Sequence, residues 1–290
     1  MGSSDPSPGS QDVKMQDAKA TSLLQGYQFP TQRLKRVLND GSKTPLVLVG
    51  CGSFSPITYL HLRMFEMARD YCQFNTKYEV IGGYLSPVGD AYKKAGLASA
   101  HHRINMCQLA VQDASTWIMV DAWEPLQSDY QPTARVLDRF DYELNEVHGG
   151  IHVGGQRSRI HVALLAGADL IQTMSTPGVW SPQDLDHILG QYGTFIIERA
   201  GTDIDEALAT LQQWKDNIHV IPQLIQNDIS STKVRLFLKR EMSVRYLIPH
   251  PVVRYIEENG LYGEDGSAPS QEKEEKGKTP VTPGQPGTAK

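Results

Sequence analysis

Two hydrophobic rhythms alternate along the chain. Continuous apolar runs at residues 46–49 (LVLV), within 78–85 (YEVIGGYL), and at 117–121, 160–166, 194–197 and 218–221 have the length and composition of strands buried on both faces. Between them lie segments with helical spacing: one after Pro56, where Leu62, Phe65 and Ala68 share a face, then 99–114, 132–147, a stretch from Ser181 through Leu189, and 203–215. Ser181, Pro182 and Asp184 give that fourth helix a cap, a first-turn proline and an N-terminal acid. The alternation from 46 to 221 predicts an α/β fold, a Rossmann-like doubly wound parallel sheet with helices on both faces. Residues 230–262 add a C-terminal helical part, with Pro249 and Pro251 opening its last helix.

Punctuation supplies the rest. Residues 86–97 (SPVGDAYKKAGL) are too rich in Gly, Pro and polar residues for either element, and 149–159 (GGIHVGGQRSR) reads as a flexible surface connection. Residues 21–39 carry Leu23, Leu24, Leu34, Val37 and Leu38 around Pro30 and predict a short helix leading into the first strand. Residues 1–20 and 264–290 are polar and poor in apolar side chains, so the pattern is one domain over 21–263 between two disordered tails.

Composition narrows the function classes. At 290 residues with 40% hydrophobic content the chain can bury one sizeable core, and its net charge of −5 offers nothing to nucleic acid or an anionic membrane. No apolar run approaches the roughly 18 residues of a membrane span, and no signal-peptide pattern opens the chain, so an intracellular soluble protein is expected. Cys51, Cys72 and Cys107 are odd in number and lack C-x-x-C spacing, against both a disulfide framework and a zinc site. No metal site built by the protein is expected.

The chemistry gathers in residues 46–72. Gly50 and Gly52 turn the chain from a strand into a helix whose unpaired N–H groups favour an anion, commonly a phosphate. Thr58 at the helix start and His61 one turn on would flank it. A dinucleotide fingerprint fits poorly, because Ser55 stands at the third glycine position and the next strand ends without an acid. Residues 227–235 (NDISSTKVR) form a second such stretch: Ser230, Ser231 and Thr232 supply cap hydroxyls, while Lys233 and Arg235 add positive charge. Lys93 and Lys94, the segment 121–133, and Gly167-Ala168-Asp169 also fall at carboxyl ends of strands, where they would converge on one crevice. Asp169 suits a ribose or a helix cap, and Trp123, Tyr130 and Trp180 suit a stacked ring or the core. Two anion sites, one histidine and no obvious protein nucleophile suggest phosphoryl or nucleotidyl transfer between two phosphate-bearing substrates, driven by positioning and charge.

Residues 52–61 (GSFSPITYLH) match the first signature of the nucleotidylyltransferase superfamily, and 229–235 (ISSTKVR) match its second. With SPVGDAYKK, VDAWE, GADL and the closing RYLIP and YIEENGLY, residues 46–262 closely resemble the eukaryotic nicotinamide mononucleotide adenylyltransferases. The resemblance implies condensation of nicotinamide mononucleotide or nicotinic acid mononucleotide with ATP, the Mg²⁺ riding on the ATP phosphates, to give NAD or deamido-NAD and pyrophosphate. It implies catalytic roles for His61, Arg235 and Lys94. ATP would meet Gly52, Phe54, Thr58, His61, Gly167, Asp169, Asn227, Ser231, Thr232, Lys233, Val234 and Arg235; the mononucleotide would meet Ser53, Lys94, Tyr130, Thr133, Val179 and Trp180. Tyr130 stands where the family has a second stacking tryptophan. A homo-oligomer in the nucleus, the cytoplasm or both is expected, with no nucleic-acid partner. The family's nuclear members in animals have a basic targeting cluster in a long insertion, whereas 149–159 is short and only mildly basic.

Overall fold

The computed structural model describes residues 26–199 and 204–263. The expected tails at 1–20 and 264–290 lie outside them, as do residues 21–25 of the expected leading helix and residue 203 at the expected start of another.

Side chains of the second strand decide the layering. Along β2 (Thr44–Gly52), Val47 and Val49 face one hydrophobic layer while Leu46 and Leu48 face another, as strand alternation dictates. The first layer includes Val136, Leu137 and Phe140 of α3 (Thr133–Asp141). The second includes Leu62, Phe65 and Ala68 of α1 (Tyr59–Asn75) and Met106, Cys107 and Ala110 of α2 (Ala100–Ala114). A strand with apolar residues on both faces needs cover on both, and helices supply it.

The main sheet adds β3 (Tyr78–Pro87), β4 (Ile118–Val120), β7 (His161–Gly167), β8 (Thr194–Ile197) and β9 (Ile218–Ile221). Its order is β4-β3-β2-β7-β8-β9, every neighbouring pair parallel. The chain runs outward from β2 to one edge, then returns to β7 and runs to the other. The crevice beyond the carboxyl ends of β2 and β7 is therefore the topological switch point, where such sheets bind ligands. The remaining α-helices among the described residues are α4 (Ala168–Ser175), α5 (Pro182–Leu185), α6 (Ile204–Thr210), α7 (Ser231–Lys239) and α8 (His250–Glu258).

Two expectations fail. Residues 149–159 are not a loose connection: β5 (Ile151–Val153) and β6 (Gln156–Ser158) form an antiparallel hairpin, and β5 pairs in parallel with β1 (Val37–Leu38). Gly154 and Gly155 at its tip both have positive φ, 55° and 87°, the backbone that a two-residue hairpin turn demands. Residues 26–36 form no helix. Arg33 instead reaches the carbonyls of Val111, Ser115 and Ile118 at 2.8–2.9 Å, satisfying the free end of α2 and the start of β4. Three expected helices also change pitch midway: α3 continues as a wider turn over Tyr142–Val147 and α5 over Asp186–Tyr192, while the helix expected over 203–215 is α-helical to Thr210 and tightens to a 3-10 turn over Gln212–Asn217.

Candidate active site

The floor of the crevice is the glycine turn at the end of β2. A Cβ on Gly50 would come within 3.1 Å of the Phe65 ring, and one on Gly52 within 3.1 Å of the Phe54 ring. Both positions thus stay bare for close packing. Phe54 adopts a left-handed backbone, φ 43°, and its ring meets His61 edge to face at 5.1 Å.

Thr58, fully buried, caps α1. Its N–H donates to Nδ1 of His61 at 3.0 Å, and its hydroxyl lies 2.9 Å from the same nitrogen. A nitrogen that accepts the Thr58 N–H carries no proton, so a neutral ring holds its hydrogen on Nε2. Burial lowers the His61 pKa to about 4, which keeps the ring neutral at physiological pH. His61 therefore offers the cleft an N–H donor rather than a charge.

The opposite wall is the start of α7. Ser230 caps it, its Oγ accepting the Lys233 N–H at 3.2 Å. Ser231 donates to the Pro56 carbonyl at 2.8 Å, and Arg235 donates to the Ser55 carbonyl at 2.7 Å and more distantly to the Thr232 hydroxyl at 3.4 Å. Two stretches about 175 residues apart are thereby stitched together. The cleft between them has a volume of about 360 Å³, and Gly52, Ser53, Phe54, His61, Lys94, Gly167, Asp169, Ser231, Thr232 and Arg235 all line it.

Gly167 differs from the turn glycines. Its backbone is ordinary, φ −85°, and a Cβ there would meet no protein atom within 4 Å. Packing does not require a glycine here, but a ligand lying against the end of β7 would. Asp169, exposed beside it, accepts from Arg199 at 3.4 Å.

Other expected site residues stand apart. Lys233 pairs with the Asp228 carboxylate, and Val234 is wholly buried with its N–H bonded to Ser230. Asn227 accepts the Ile229 N–H at 3.0 Å, shaping the loop into α7. Tyr130 is 50% exposed and stacks on Tyr92 at 6.0 Å. Thr133 opens α3, Val179 is exposed, and the Trp180 indole donates to Thr173 at 3.1 Å; none of these four lines the cleft. Trp123 packs against the core with Arg139 over its ring.

Several supporting groups escaped the sequence reading. Arg103, with no exposed side chain, donates to the carbonyls of Ser53 and Ala98 and to Asp90. Its signal was a cation on the apolar face of a predicted helix. Glu124 and Asp121 are buried near Cys51; burial raises their pKa values to about 8 and about 6, and together with them drives the Cys51 thiol upward. Cys51 is thus no nucleophile at neutral pH. Arg199 and Gln223 also line the cleft.

Residues 49–237 match the cytidylyltransferase-like family. The chain is 55% identical over 243 residues to nicotinamide/nicotinic acid mononucleotide adenylyltransferase 2 of Saccharomyces cerevisiae, covering 82% of this chain but only 62% of that protein's length. It is 39% identical over 260 residues to nicotinamide/nicotinic acid mononucleotide adenylyltransferase 1 of Bos taurus, covering 79% of this chain and 92% of the relative. Plasmodium falciparum nicotinic acid mononucleotide adenylyltransferase complexed with APC shares the fold, with a TM-score of 0.55 at 22% identity over 75% of this chain and 96% of that one. Sharing this much sequence with a relative covered almost end to end, the chain belongs to the nicotinamide/nicotinic acid mononucleotide adenylyltransferases, within the cytidylyltransferase-like family.

Proposed function

We propose that the chain transfers the adenylyl group of ATP to the phosphate of nicotinamide mononucleotide or nicotinic acid mononucleotide. A phosphate oxygen of the mononucleotide bonds to the α-phosphorus of ATP, the bond from that phosphorus to the bridging oxygen breaks, and pyrophosphate leaves with the electron pair. NAD or deamido-NAD is the other product. The attacking phosphate is already ionised, so no general base is needed, and the work left to the protein is alignment and charge stabilisation.

The observation that carries this assignment is the convergence of His61 and Arg235 on one cleft from separate loops. The Nε2 proton of His61 would donate to a phosphate oxygen of ATP, and Arg235, Ser231 and Thr232 would hold the charge that grows on the leaving pyrophosphate. Thr58 serves through His61. Lys94, exposed on a loop at the cleft, is a movable point charge for the mononucleotide phosphate, beside Ser53. Gly167 and Asp169 would take the adenosine ribose, with Asn227 nearby. Tyr130, Thr133, Val179 and Trp180 are assigned to the nicotinamide ring on the resemblance alone.

Among the described residues no group of three or more His, Cys, Asp or Glu side chains could hold a metal ion. Asp169, the carboxylate lining the cleft, is engaged by Arg199. These residues suit a divalent cation carried by the triphosphate, Mg²⁺ on the resemblance, rather than a resident one, and no step above runs through it. Nor, among the described residues, is any helix long and apolar enough to cross a membrane. Assembly into a homo-oligomer belongs to the same proposal.

Purified protein supplied with ATP, Mg²⁺ and either mononucleotide should release dinucleotide and pyrophosphate in equal amounts. Preference for another phosphate acceptor, such as phosphopantetheine, would overturn the assignment.

A further inference from the structure

Residues 53–56, between the glycine turn and the cap of α1, are held from several parts of the chain. Three ties grip backbone oxygens: Arg103 on Ser53 at 3.2 Å, Arg235 on Ser55 at 2.7 Å, and Ser231 on Pro56 at 2.8 Å. The fourth grips a side chain. Ser55 is wholly buried; its Oγ accepts the Ala98 N–H at 3.0 Å and lies 2.7 Å from the hydroxyl of Tyr262, 207 residues further along.

A serine hydroxyl has one proton and two lone pairs. The Ala98 N–H takes one lone pair, and the Tyr262 phenol takes either the proton or the second lone pair, according to which oxygen donates. Among the described residues these are the side chain's only hydrogen-bond partners. The carbonyl that receives Arg235 belongs to this same residue, so the setting of the Ser55 side chain and the aim of the guanidinium are linked through one Cα.

Tyr262 sits at φ 70°, in the left-handed region, and so does Phe54, the residue before Ser55, at φ 43°; the contact thus joins two turns whose backbone non-glycine residues seldom adopt. The Tyr262 ring packs against the core next to Leu261, so its hydroxyl can be removed without removing the ring.

We infer that Tyr262 is a positioning residue for adenylyl transfer: through the Ser55 hydroxyl it fixes the Ser55 carbonyl, and thereby the Arg235 guanidinium that faces the ATP phosphates. This deepens the proposed function and rests on it for the role of Arg235. The closing turn of the domain becomes part of the machinery that orients the first glycine-rich loop.

The test compares Tyr262→Phe with the parent by calorimetric ATP binding and by steady-state kinetics. The dissociation constant and KM for ATP should rise by about three- to tenfold, the loss that one ordinary hydrogen bond gives. The KM for the mononucleotide should stay within about twofold, since Lys94 and Ser53 are not tethered by this contact. Tyr255→Phe is the control: its hydroxyl bonds His102 and Asn105, each at 2.9 Å, away from the cleft, and its loss should leave ATP binding unchanged. Because the effect passes through Ser55, the double variant Ser55→Ala/Tyr262→Phe should be no worse than Ser55→Ala alone. Parent-like ATP affinity in Tyr262→Phe, an equal loss in Tyr255→Phe, or additive losses in the double variant would each overturn the inference. A parent chain that binds ATP yet forms no dinucleotide would overturn the proposed function instead, with the ATP affinities still reporting on Tyr262.

Discussion

The backbone N–H of Thr58 donates to Nδ1 of His61 at 3.0 Å across the first turn of α1. This is a capping box with histidine in the place usually held by Glu or Gln. The bond that starts the helix also places the ring proton on Nε2 of a residue that lines the cleft. Local folding and chemistry share one hydrogen bond here.

His61→Ala removes both roles. Turnover should fall by about 10²- to 10³-fold, the usual worth of a lost donor to a developing charge, while stability falls by only about 1 kcal/mol as the Thr58 N–H loses its acceptor. The stability gap should depend on pH. The folded His61 pKa is lowered to about 4 from 6.5, so between those values the unfolded chain binds more protons and the parent loses stability as pH falls, by at most about 1.4 kcal/mol per pH unit. The variant lacks this loss, so denaturant titrations should show its deficit of about 1 kcal/mol at pH 7 closing and then reversing by about pH 4.5. A deficit that grows toward acid would contradict the neutral histidine.

Gly167→Ala separates ligand contact from fold. Its φ of −85° suits any residue, and the new methyl meets no protein atom within 4 Å. Gly167 caps α4, where alanine is poorer than glycine, a cost partly offset by the chain entropy that glycine loses on folding. Stability should therefore fall by less than about 1 kcal/mol, while the KM for ATP rises tenfold or more, on the order of 1.4 kcal/mol. Unchanged ATP kinetics would remove Gly167 from the nucleotide's path.

These two positions mark what the sequence could and could not tell. The strands around residues 46, 160 and 194 were legible because sheets covered on both faces need uninterrupted apolar runs, and the loops at 52–61 and 229–235 were legible because caps, glycines and cations announce helix N-termini. The hairpin at 151–158 was missed although Gly154-Gly155 signals a tight turn; its strands are only three residues each and pair with a two-residue partner, too short to establish a period. The Ser55–Tyr262 contact was invisible for another reason: it is long-range, and nothing local distinguishes a serine that meets a tyrosine 207 residues away from one that meets water.

Glu124→Gln should act on stability with the opposite pH sign. Burial raises the Glu124 pKa to about 8 from 4.5. Between those values the folded chain holds the proton that the unfolded chain has released, so the parent loses stability as pH rises, again by at most about 1.4 kcal/mol per unit. The amide has no proton to lose and can still accept from Ser86, which donates to Glu124 at 3.1 Å. Thermal denaturation should therefore show Glu124→Gln gaining on the parent from pH 5 to about pH 8. A constant difference would mean that the carboxyl is ionised throughout.

Tyr130→Trp tests the departure at the nicotinamide end. Tyr130 is half exposed and stacks on Tyr92, so a larger ring fits without disturbing the core. The KM for the mononucleotide should fall by about two- to tenfold, as an aromatic contact worth roughly 0.5–1.5 kcal/mol would give, with the KM for ATP unmoved. An unchanged mononucleotide KM would place Tyr130 outside the site.

The most direct test follows the phosphorus atoms. With nicotinamide mononucleotide and ATP labelled at the α-phosphorus, all product label should appear in NAD, and label at the γ-phosphorus should appear only in pyrophosphate. Label from the γ-phosphorus on the mononucleotide, or α-label released as AMP without dinucleotide, would contradict adenylyl transfer.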